Sequence, residues 1–320
     1  MTRFDAPTEE LLVREVASPG PMTLLLESRE VPLGGIRGIT VHRSLPQRGL
    51  PTVGAWCFLD YFDEAGVPMR VLPHPHIGLQ TVTWPLNGEI RHRDTVLSDV
   101  MIQPGQLNIM TSGYGIAHSE FSTEPDAASA AVRGVQLWVA LPSGAADHEP
   151  FFEQHSDLPV WQQGGVSARV FVGTLGSATS PATTFTPLLG AEMRLAAGTA
   201  ESIPVDRTFE HAIFVLDGEV TVDDVRVTER QLLYIGDGCP SVEIVADAAA
   251  HVIFIGGEPF GEDLVMWWNF VGRSHDDIVS AREDWEARAS RFGNVPGHGA
   301  ERIPAPPLPT VTLTPRRRRR

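Results

Sequence analysis

The sequence predicts an all-β protein in which two similar barrels follow one another and a single helix comes near the end. Three observations indicate this fold class. Strand-length segments are separated by turns that contain glycine or proline, the pattern of the first half recurs in the second, and one amphipathic stretch follows the second half. The 320 residues are enough for two ordinary domains.

Residues 79–95 carry the clearest strand signal of the first half. Residues 79–84 (Leu-Gln-Thr-Val-Thr-Trp) alternate with a period of two and include β-branched side chains, which predicts a strand. Asn87-Gly88 then predicts a hairpin turn, so residues 90–95 form the returning strand. Further strands are predicted at residues 56–62, 107–110 and 135–139.

The second half repeats this pattern. Residues 213–220 parallel residues 82–90, with Asp217-Gly218 in place of the Asn-Gly turn, and residues 231–236 parallel residues 106–111. Such a repeat predicts two barrels of one design. We therefore divide the chain into a first barrel (1–145), a connector (146–163), a second barrel with the C-terminal helix (164–300), and a disordered tail rich in proline and arginine (301–320).

One helix is predicted after Ser274. The run Ser-His-Asp-Asp has the pattern of a capping box, and Ile278, Ala281, Trp285, Ala289 and Phe292 fall on one helical face. Gly293 is the expected glycine cap. The segment 266–270 just before the helix is predicted to pack in the core.

Composition and charge restrict the function classes. The formal net charge of −15 argues against nucleic acid as a general partner, although the arginine run 316–320 could touch an anionic surface. All 25 basic residues are arginine, which excludes chemistry by a lysine nucleophile. The two cysteines, Cys57 and Cys239, form no disulfide framework. No signal peptide or membrane span is visible, so we expect a cytoplasmic protein that contacts no membrane.

Two short motifs predict a metal site. His74-Pro75-His76 and His118-Ser119-Glu120 each place two side chains on one face of a strand, because residues two apart in a strand point the same way. If the two strands are neighbours, three imidazoles and one carboxylate converge, which suits a divalent metal. The alternative is four unrelated polar residues near turns. The second half has only a lone His211 at the corresponding place, so we predict metal in the first barrel alone.

These motifs resemble the pirin family. The resemblance rests on residues 73–78 (Pro-His-Pro-His-Ile-Gly), on His92-Arg93-Asp94, and on residues 110–120, which run from Met-Thr-Ser-Gly-Tyr-Gly to His-Ser-Glu. It implies two tandem cupin barrels of the jelly-roll type, with iron in the first one. It also implies that His74, His76, His118 and Glu120 are the iron ligands.

The resemblance also suggests activities. Several pirins act as quercetin 2,3-dioxygenases, and others are described as redox-sensing transcriptional cofactors. Tyr114 stands where many members have arginine, which leaves the substrate open. The resemblance makes Fe(II) the expected metal, and four protein ligands would leave two of its six positions for substrate and O₂. The donor types alone also permit Mn, Co, Ni, Cu or Zn.

Three hypotheses follow for function. The first is a dioxygenase that acts on a small aromatic or enolic substrate with O₂, in which Glu120 accepts the substrate's proton if its bond to the metal is loose. His92, Asp94 and Tyr114 are then candidates for orienting the ligands, although His92 and Asp94 could equally face solvent. The second is a metal-bearing sensor with a regulatory protein partner. The third is a structural protein with incidental metal.

Overall fold

A computed structural model describes residues 21–32, 40–63, 68–122 and 132–315 of the chain. Two β-barrels follow one another, and a small hairpin and a helix complete the described chain. The predicted fold class is therefore confirmed. The glycine-rich stretch after residue 32 and the arginine run 316–320 lie outside the described residues. Among the described residues, no helix combines the length and apolar character that crossing a membrane requires.

The first barrel consists of two antiparallel sheets. Its strands are β2 (Arg29–Pro32), β3 (Thr40–Leu45), β4 (Trp56–Phe62), β5 (Arg70–His76), β6 (Leu79–Asn87), β7 (Ile90–Asp94), β8 (Asp99–Ile102), β9 (Leu107–Thr111), β10 (Ile116–Ser122), β11 (Arg133–Ala140) and β12 (Phe151–His155). The larger sheet has the order β12-β9-β6-β11-β4-β3-β2, and the smaller one the order β5-β10-β7-β8.

The second barrel repeats this plan. Its strands are β1 (Thr23–Glu27), β13 (Val160–Gln163), β14 (Val166–Leu175), β15 (Ala178–Thr179), β16 (Leu188–Leu195), β17 (Thr199–Pro204), β18 (Glu210–Asp217), β19 (Glu219–Val222), β20 (Val225–Thr228), β21 (Gln231–Ile235), β22 (Ser241–Ala246) and β23 (Ala250–Gly257). The larger sheet runs β1-β21-β18-β23-β16-β14-β13, with β15 paired to β14. The smaller sheet, β17-β22-β19-β20, matches β5-β10-β7-β8 strand for strand.

The turn signals formed as the sequence predicted. Gly88 and Gly218, which join β6 to β7 and β18 to β19, have φ values of +74° and +77°, a region that glycine enters without steric cost. Alternation along β6 gives two faces. Val82 and Trp84 enter the core shared with the second barrel, whereas Thr83 reaches Glu120 inside the first barrel.

The large sheets of the two barrels pack face to face. Their common core joins β6, β9 and β11 of the first barrel to β18, β21 and β23 of the second. Two buried indoles cross the junction: Trp56 Nε1 donates to the Leu189 and Gly256 carbonyls (both 3.0 Å), and Trp84 Nε1 donates to Glu192 Oε2 (3.0 Å). The pairing of these polar groups offsets the cost of burying them.

Three strand pairings cross the predicted domain boundaries. β1, from the N-terminal part of the chain, pairs with β21 in the second barrel. The segment 146–163, predicted as a connector, instead holds β12, which pairs with β9, and β13, which pairs with β14. Both strands lie at sheet edges and are only partly buried, so they carry many polar residues. This polar composition is the reason that the segment was predicted to be a connector.

After the second barrel the chain returns to the first. β24 (Val265–Trp267) and β25 (Phe270–Gly272) form a hairpin, followed by α1 (His275–Glu286). The predicted capping box is confirmed, since Ser274 Oγ accepts from the Asp277 N–H and the Asp277 carboxylate accepts from the Ser274 N–H.

The predicted end of this helix is wrong. It stops at Glu286, and Arg288 adopts a left-handed φ of +55°, so the expected cap at Gly293 lies beyond the helix. Phe292 nevertheless packs with Trp285 in the apolar cluster that supports the helix, which explains the longer apolar pattern.

Residues 301–315, predicted as part of a disordered tail, pack against α1. Trp285 Nε1 donates to the Ile303 carbonyl (2.9 Å), Arg282 Nε donates to the Pro306 carbonyl (2.8 Å), and the Ala305 N–H donates to Glu286 Oε1 (2.8 Å). Prolines suggested disorder, but carbonyl acceptors on a proline-rich segment suffice for docking when a neighbouring helix supplies the donors.

Candidate metal centre

Neighbouring strands bring the two histidine motifs together. β10 pairs with β5 so that His118 lies opposite His74, and Ile116 lies opposite His76. The imidazole centroids of His74, His76 and His118 are 4.4–5.0 Å apart, and the Nε2 atoms of His76 and His118 are 3.0 Å apart. All three side chains are buried. The alternative of unrelated polar residues near turns is wrong for these three.

Backbone carbonyls select the tautomer of two of the rings. His74 Nδ1 lies 2.9 Å from the Leu72 carbonyl, and His76 Nδ1 lies 3.1 Å from the Asn269 carbonyl. A carbonyl only accepts, so Nδ1 carries the proton in each ring and Nε2 keeps a free lone pair. This arrangement is common for metal-binding histidines.

Burial keeps these imidazoles neutral. It lowers the pKa of His74 to about 4, even though the bond to Leu72 acts in the opposite direction. Burial also lowers the pKa of His76 and of His118 well below the usual range, and the neighbouring imidazoles add to the effect. Neutral imidazoles are the form that binds a metal.

Glu120 lies beside this cluster. Its carboxylate oxygen Oε1 accepts a hydrogen bond from Thr83 Oγ1 at 2.9 Å. Burial raises the pKa of Glu120, while His92 and the bond from Thr83 partly oppose the rise. A carboxylate that burial has removed from water is stabilised in its charged form by a neighbouring cation.

The donor atoms form two overlapping groups. Those of His74, His76 and His118 lie within 4.8 Å of one another, and so do those of His92, His118 and Glu120. His118 belongs to both, because its Nε2 faces His76 and its Nδ1 lies 3.4 Å from His92 Nδ1. Among the described residues, these two groups are the candidates for a metal, and both lie in the first barrel.

His92 and Asp94 are buried, so the solvent-facing alternative for them is wrong. His92 Nε2 lies 3.0 Å from Asp94 Oδ2, and the His92 ring stacks on Phe152. Asp94 Oδ1 accepts from the N–H groups of Val96 (3.0 Å) and Ser98 (2.9 Å). His92 and Asp94 therefore form a fixed polar group next to Nδ1 of His118, whereas Nε2 of His118 faces His76.

Tyr114 lies in the loop between β9 and β10, where its backbone makes the contacts that we observe. Its N–H donates to the His148 carbonyl (3.1 Å), and its carbonyl accepts from Arg291 Nε (2.7 Å). The Tyr114 side chain is not among the groups around the cavity described next. Its predicted role in orienting a ligand stays a prediction.

A cavity of 470 Å³ opens in front of the imidazoles. Most of its wall is apolar, and the rings of Phe58 and Trp138 stack in that wall with centroids 4.0 Å apart. Arg43 and Asp60 form a buried two-point ion pair there, with both N–O distances 2.7 Å, and the Arg43 guanidinium lies over Phe58. This pair could not be predicted from the sequence, because Arg43 and Asp60 lie on separate strands, β3 and β4.

Comparisons with known proteins agree with this geometry. The pirin family model matches residues 38–139, and the model of the pirin C-terminal cupin domain matches residues 190–293. A Pseudomonas aeruginosa protein that bears quercetin 2,3-dioxygenase as a provisional name is 41% identical over 286 residues, which cover 88% of this chain and 89% of that protein. The chain belongs to the pirin family.

Other pirin relatives extend over most of the chain. A pirin-like protein of Caulobacter vibrioides is 35% identical over 292 residues, covering 88% of this chain and 99% of that protein. The crystal structure of a quercetin 2,3-dioxygenase from Acinetobacter baumannii has a TM-score of 0.84 and 38% identity, covering 90% of this chain and 96% of that one. The predicted family and its two-cupin fold are confirmed.

Cupin dioxygenase relatives imply a bound metal, and the site's donors suit one. Two of the three clustered imidazoles present free Nε2 lone pairs, and a buried carboxylate lies beside the cluster. Nitrogen and carboxylate oxygen donors together match a divalent metal of the first transition row.

Proposed function

We propose that this pirin-family protein is a metal-dependent dioxygenase that acts on a flavonol-like or other enolic substrate with O₂. His74, His76, His118 and Glu120 would hold the metal, with Fe(II) as the favoured ion among those that the donors accept. The observation that carries the proposal is the cluster of three neutral imidazoles at a largely apolar, aromatic cavity, with the Glu120 carboxylate in an overlapping group that shares His118.

The walls of the cavity favour a flat aromatic substrate. Phe58 and Trp138 present stacked rings, and aromatic pairs of this kind contribute binding energy beyond their buried area. The Arg43–Asp60 pair adds charged groups to the same wall, and the Arg43 guanidinium would donate a hydrogen bond to a substrate oxygen. A cavity of this size and composition is typical of small-molecule sites.

When bound, the metal would supply a Lewis acid that lowers the pKa of a substrate hydroxyl and a place to bring O₂ next to the substrate. Glu120 would take the hydroxyl proton, a role that requires its bond to the metal to be loose. Burial raises its pKa toward the range that suits a general base, and Thr83 holds Oε1, which leaves Oε2 for this task. The apolar wall would keep water away from the reacting substrate.

His92 and Asp94 would orient His118. Asp94 is fixed by two backbone N–H groups and in turn fixes His92, whose Nδ1 is 3.4 Å from His118 Nδ1. Carboxylate–histidine chains of this type hold metal-binding rings in one orientation.

Metal analysis combined with a substrate assay tests the proposal. We expect the purified protein to bind one divalent metal per chain, and His76→Ala and His118→Ala each to abolish that stoichiometric metal while leaving the fold intact. The matched control is His211→Ala, a buried histidine of the second barrel, which should keep the full metal content. Stoichiometric metal in the His76→Ala, His118→Ala double variant would refute the ligand assignment.

The substrate assay measures the consumption of quercetin by the purified protein in the presence and in the absence of O₂. We expect loss that depends on both O₂ and metal. If the wild type, loaded in turn with Fe, Mn, Co, Ni and Cu, consumes no quercetin in the presence of O₂, the enzyme proposal fails for this substrate. The metal-bearing sensor then becomes the better hypothesis.

A further inference from the structure

Residues 298–307, which we call the closing segment, join the C-terminal part of the chain to the metal pocket. Ile303, Pro304, Ala305, Pro306 and Pro307 contribute to the same cavity wall as the three clustered imidazoles. At its start, His298 reaches the back of strand β10. The segment therefore lines the pocket with its later residues and contacts the ligand-bearing strand β10 through its first residue.

His298 contacts the residue between two proposed ligands. A hydrogen bond of 2.8 Å joins His298 Nε2 to Ser119 Oγ, and Ser119 separates His118 from Glu120. Both partners are buried, with 8% and 1% of their surface exposed. The imidazole is also held by the ring of Phe121, which meets it edge-on with centroids 5.2 Å apart.

This contact falls where β5 is irregular: two residues of β5, Leu72 and Pro73, lie opposite the single residue Ser119 of β10, whereas β10 pairs without interruption with β7. The pairing of β10 with β5 shifts register between His118 and Glu120, so that His118 lies opposite His74 but Glu120 lies opposite Val71. An irregularity of this kind re-aims the neighbouring side chains, and its local geometry needs support because the regular ladder is interrupted there. Ser119 is the residue at the shift, and its hydroxyl is held by His298.

The other ligand strand is held a few residues further along the closing segment. The Ile303 N–H donates to the Pro73 carbonyl at 2.8 Å, and Pro73 directly precedes His74 on β5. Helix α1 fixes this part of the segment in turn through Trp285 and Arg282. One short segment, held by α1, thus contacts both of the strands that carry the proposed ligands.

We propose that His298 is a positioning residue of the metal site: by holding Ser119 on the outer face of β10, it directs His118 and Glu120 toward the metal. The inference rests on the ligand set proposed above. Side chains two apart point one way and the residue between them points the other way, so a fixed Ser119 fixes both neighbours. Loss of the contact should loosen the donors without removing any of them.

Co(II) binding to the full-length protein tests this proposal. We expect His298→Ala to weaken Co(II) affinity about 10-fold, the lower end of the effect of residues that orient ligands, and to change the visible absorption spectrum of the bound ion. Ser119→Ala should do the same. Because the two residues act through one hydrogen bond, the double variant should lose little more than either single variant.

Two further variants separate positioning from general damage. His298→Gln can still form a hydrogen bond with Ser119 and should recover part of the affinity and spectrum. Arg282→Met removes a bond from the same closing segment to α1 without touching Ser119, and should keep the wild-type spectrum. Melting temperatures of the metal-free proteins show whether each variant folds.

The outcomes distinguish this inference from the proposed function. Wild-type affinity and spectrum in both His298→Ala and Ser119→Ala would overturn the positioning role, as would fully additive losses in the double variant. An equal change in Arg282→Met would show that docking of the segment matters rather than the His298–Ser119 bond. If His76→Ala also bound Co(II) as the wild type does, the ligand set itself would be wrong.

Discussion

Replacing His211 by leucine gives a sharp test of the physics of buried imidazoles in this fold. His211 is fully buried on β18 in the second barrel, and its ring stacks on Phe254 with centroids 5.6 Å apart. Within the described part of the chain, neither ring nitrogen has a hydrogen-bond partner. Removing an unpaired buried polar group in favour of an apolar one of similar size should stabilise the protein by roughly 1–3 kcal/mol at neutral pH.

The size of the gain should depend on pH. Burial lowers the pKa of His211 to about 4 from an ordinary value of 6.5, although Asp206 acts in the opposite direction. As the pH falls below 6.5, the unfolded chain binds the proton first, so the wild type loses stability until the pH reaches the folded pKa. At about pH 4.5 this loss is about 2.5 kcal/mol, obtained from the two pKa values by linkage. The leucine variant has no such group and should not lose it.

Urea denaturation of the metal-free wild type and His211→Leu at about pH 7 and about pH 4.5 measures both effects. Using metal-free protein, and differences between the two proteins, cancels the titration of the other histidines. We expect the variant to be the more stable at both pH values, by an amount about 2.5 kcal/mol larger in acid. An equal difference at the two pH values would refute the assignment of a low pKa to His211, and a destabilised variant would show that the imidazole is paired.

The remaining predictions concern the first barrel and the C-terminus. Glu120→Gln, assayed with full metal occupancy, should lower quercetin turnover about 10²–10⁴-fold, and a wild-type rate would remove Glu120 as the base. Arg43→Met should destabilise the protein by about 3–5 kcal/mol in a denaturant titration because it leaves the Asp60 carboxylate buried without its partner, whereas replacing both residues should cost less. Gly78→Ala should lower the melting temperature, since φ is +66° and the added carbon would lie 2.1 Å from a carbonyl oxygen of β25, and an unchanged value would contradict this strain. Deleting residues 316–320 should change neither melting temperature nor metal content, and a lower melting temperature would show that the arginines dock.

The sequence was most informative where local rules decide the structure. His74-x-His76 and His118-x-Glu120 could be placed on strands because period two is a property of the strand itself, and the Ser274 cap because its hydrogen bonds span only three residues. The resemblance of the motifs to one family then supplied the pairing of the two strands, which periodicity alone left open.

Other features of the site depend on contacts that carry no local pattern. The Asn269 carbonyl that orients His76 is a backbone group, so its residue type gives no signal. Phe58 and Trp138 were correctly expected in strands, but the stacking of their rings joins β4 to β11 and cannot be read from either strand alone. His298 lay in a glycine-rich stretch and became interpretable only beside Ser119, 179 residues earlier.

The strand pairings between β1 and β21 and between β12 and β9 limit which fragments of this chain can fold alone. They also affect how the chain folds during its synthesis. A fragment that ends at residue 145 would lack β12 and leave β9 as an open sheet edge, and a fragment that starts at residue 164 would lack β1 and expose β21. Open edges recruit other chains, so isolated halves should aggregate. On the ribosome, β1 emerges about 200 residues before its partner, a delay of about 10–40 s at about 5–20 residues per second. During that interval the nascent protein carries a largely apolar strand whose partner has not yet been made, and unpaired strands of this kind promote aggregation.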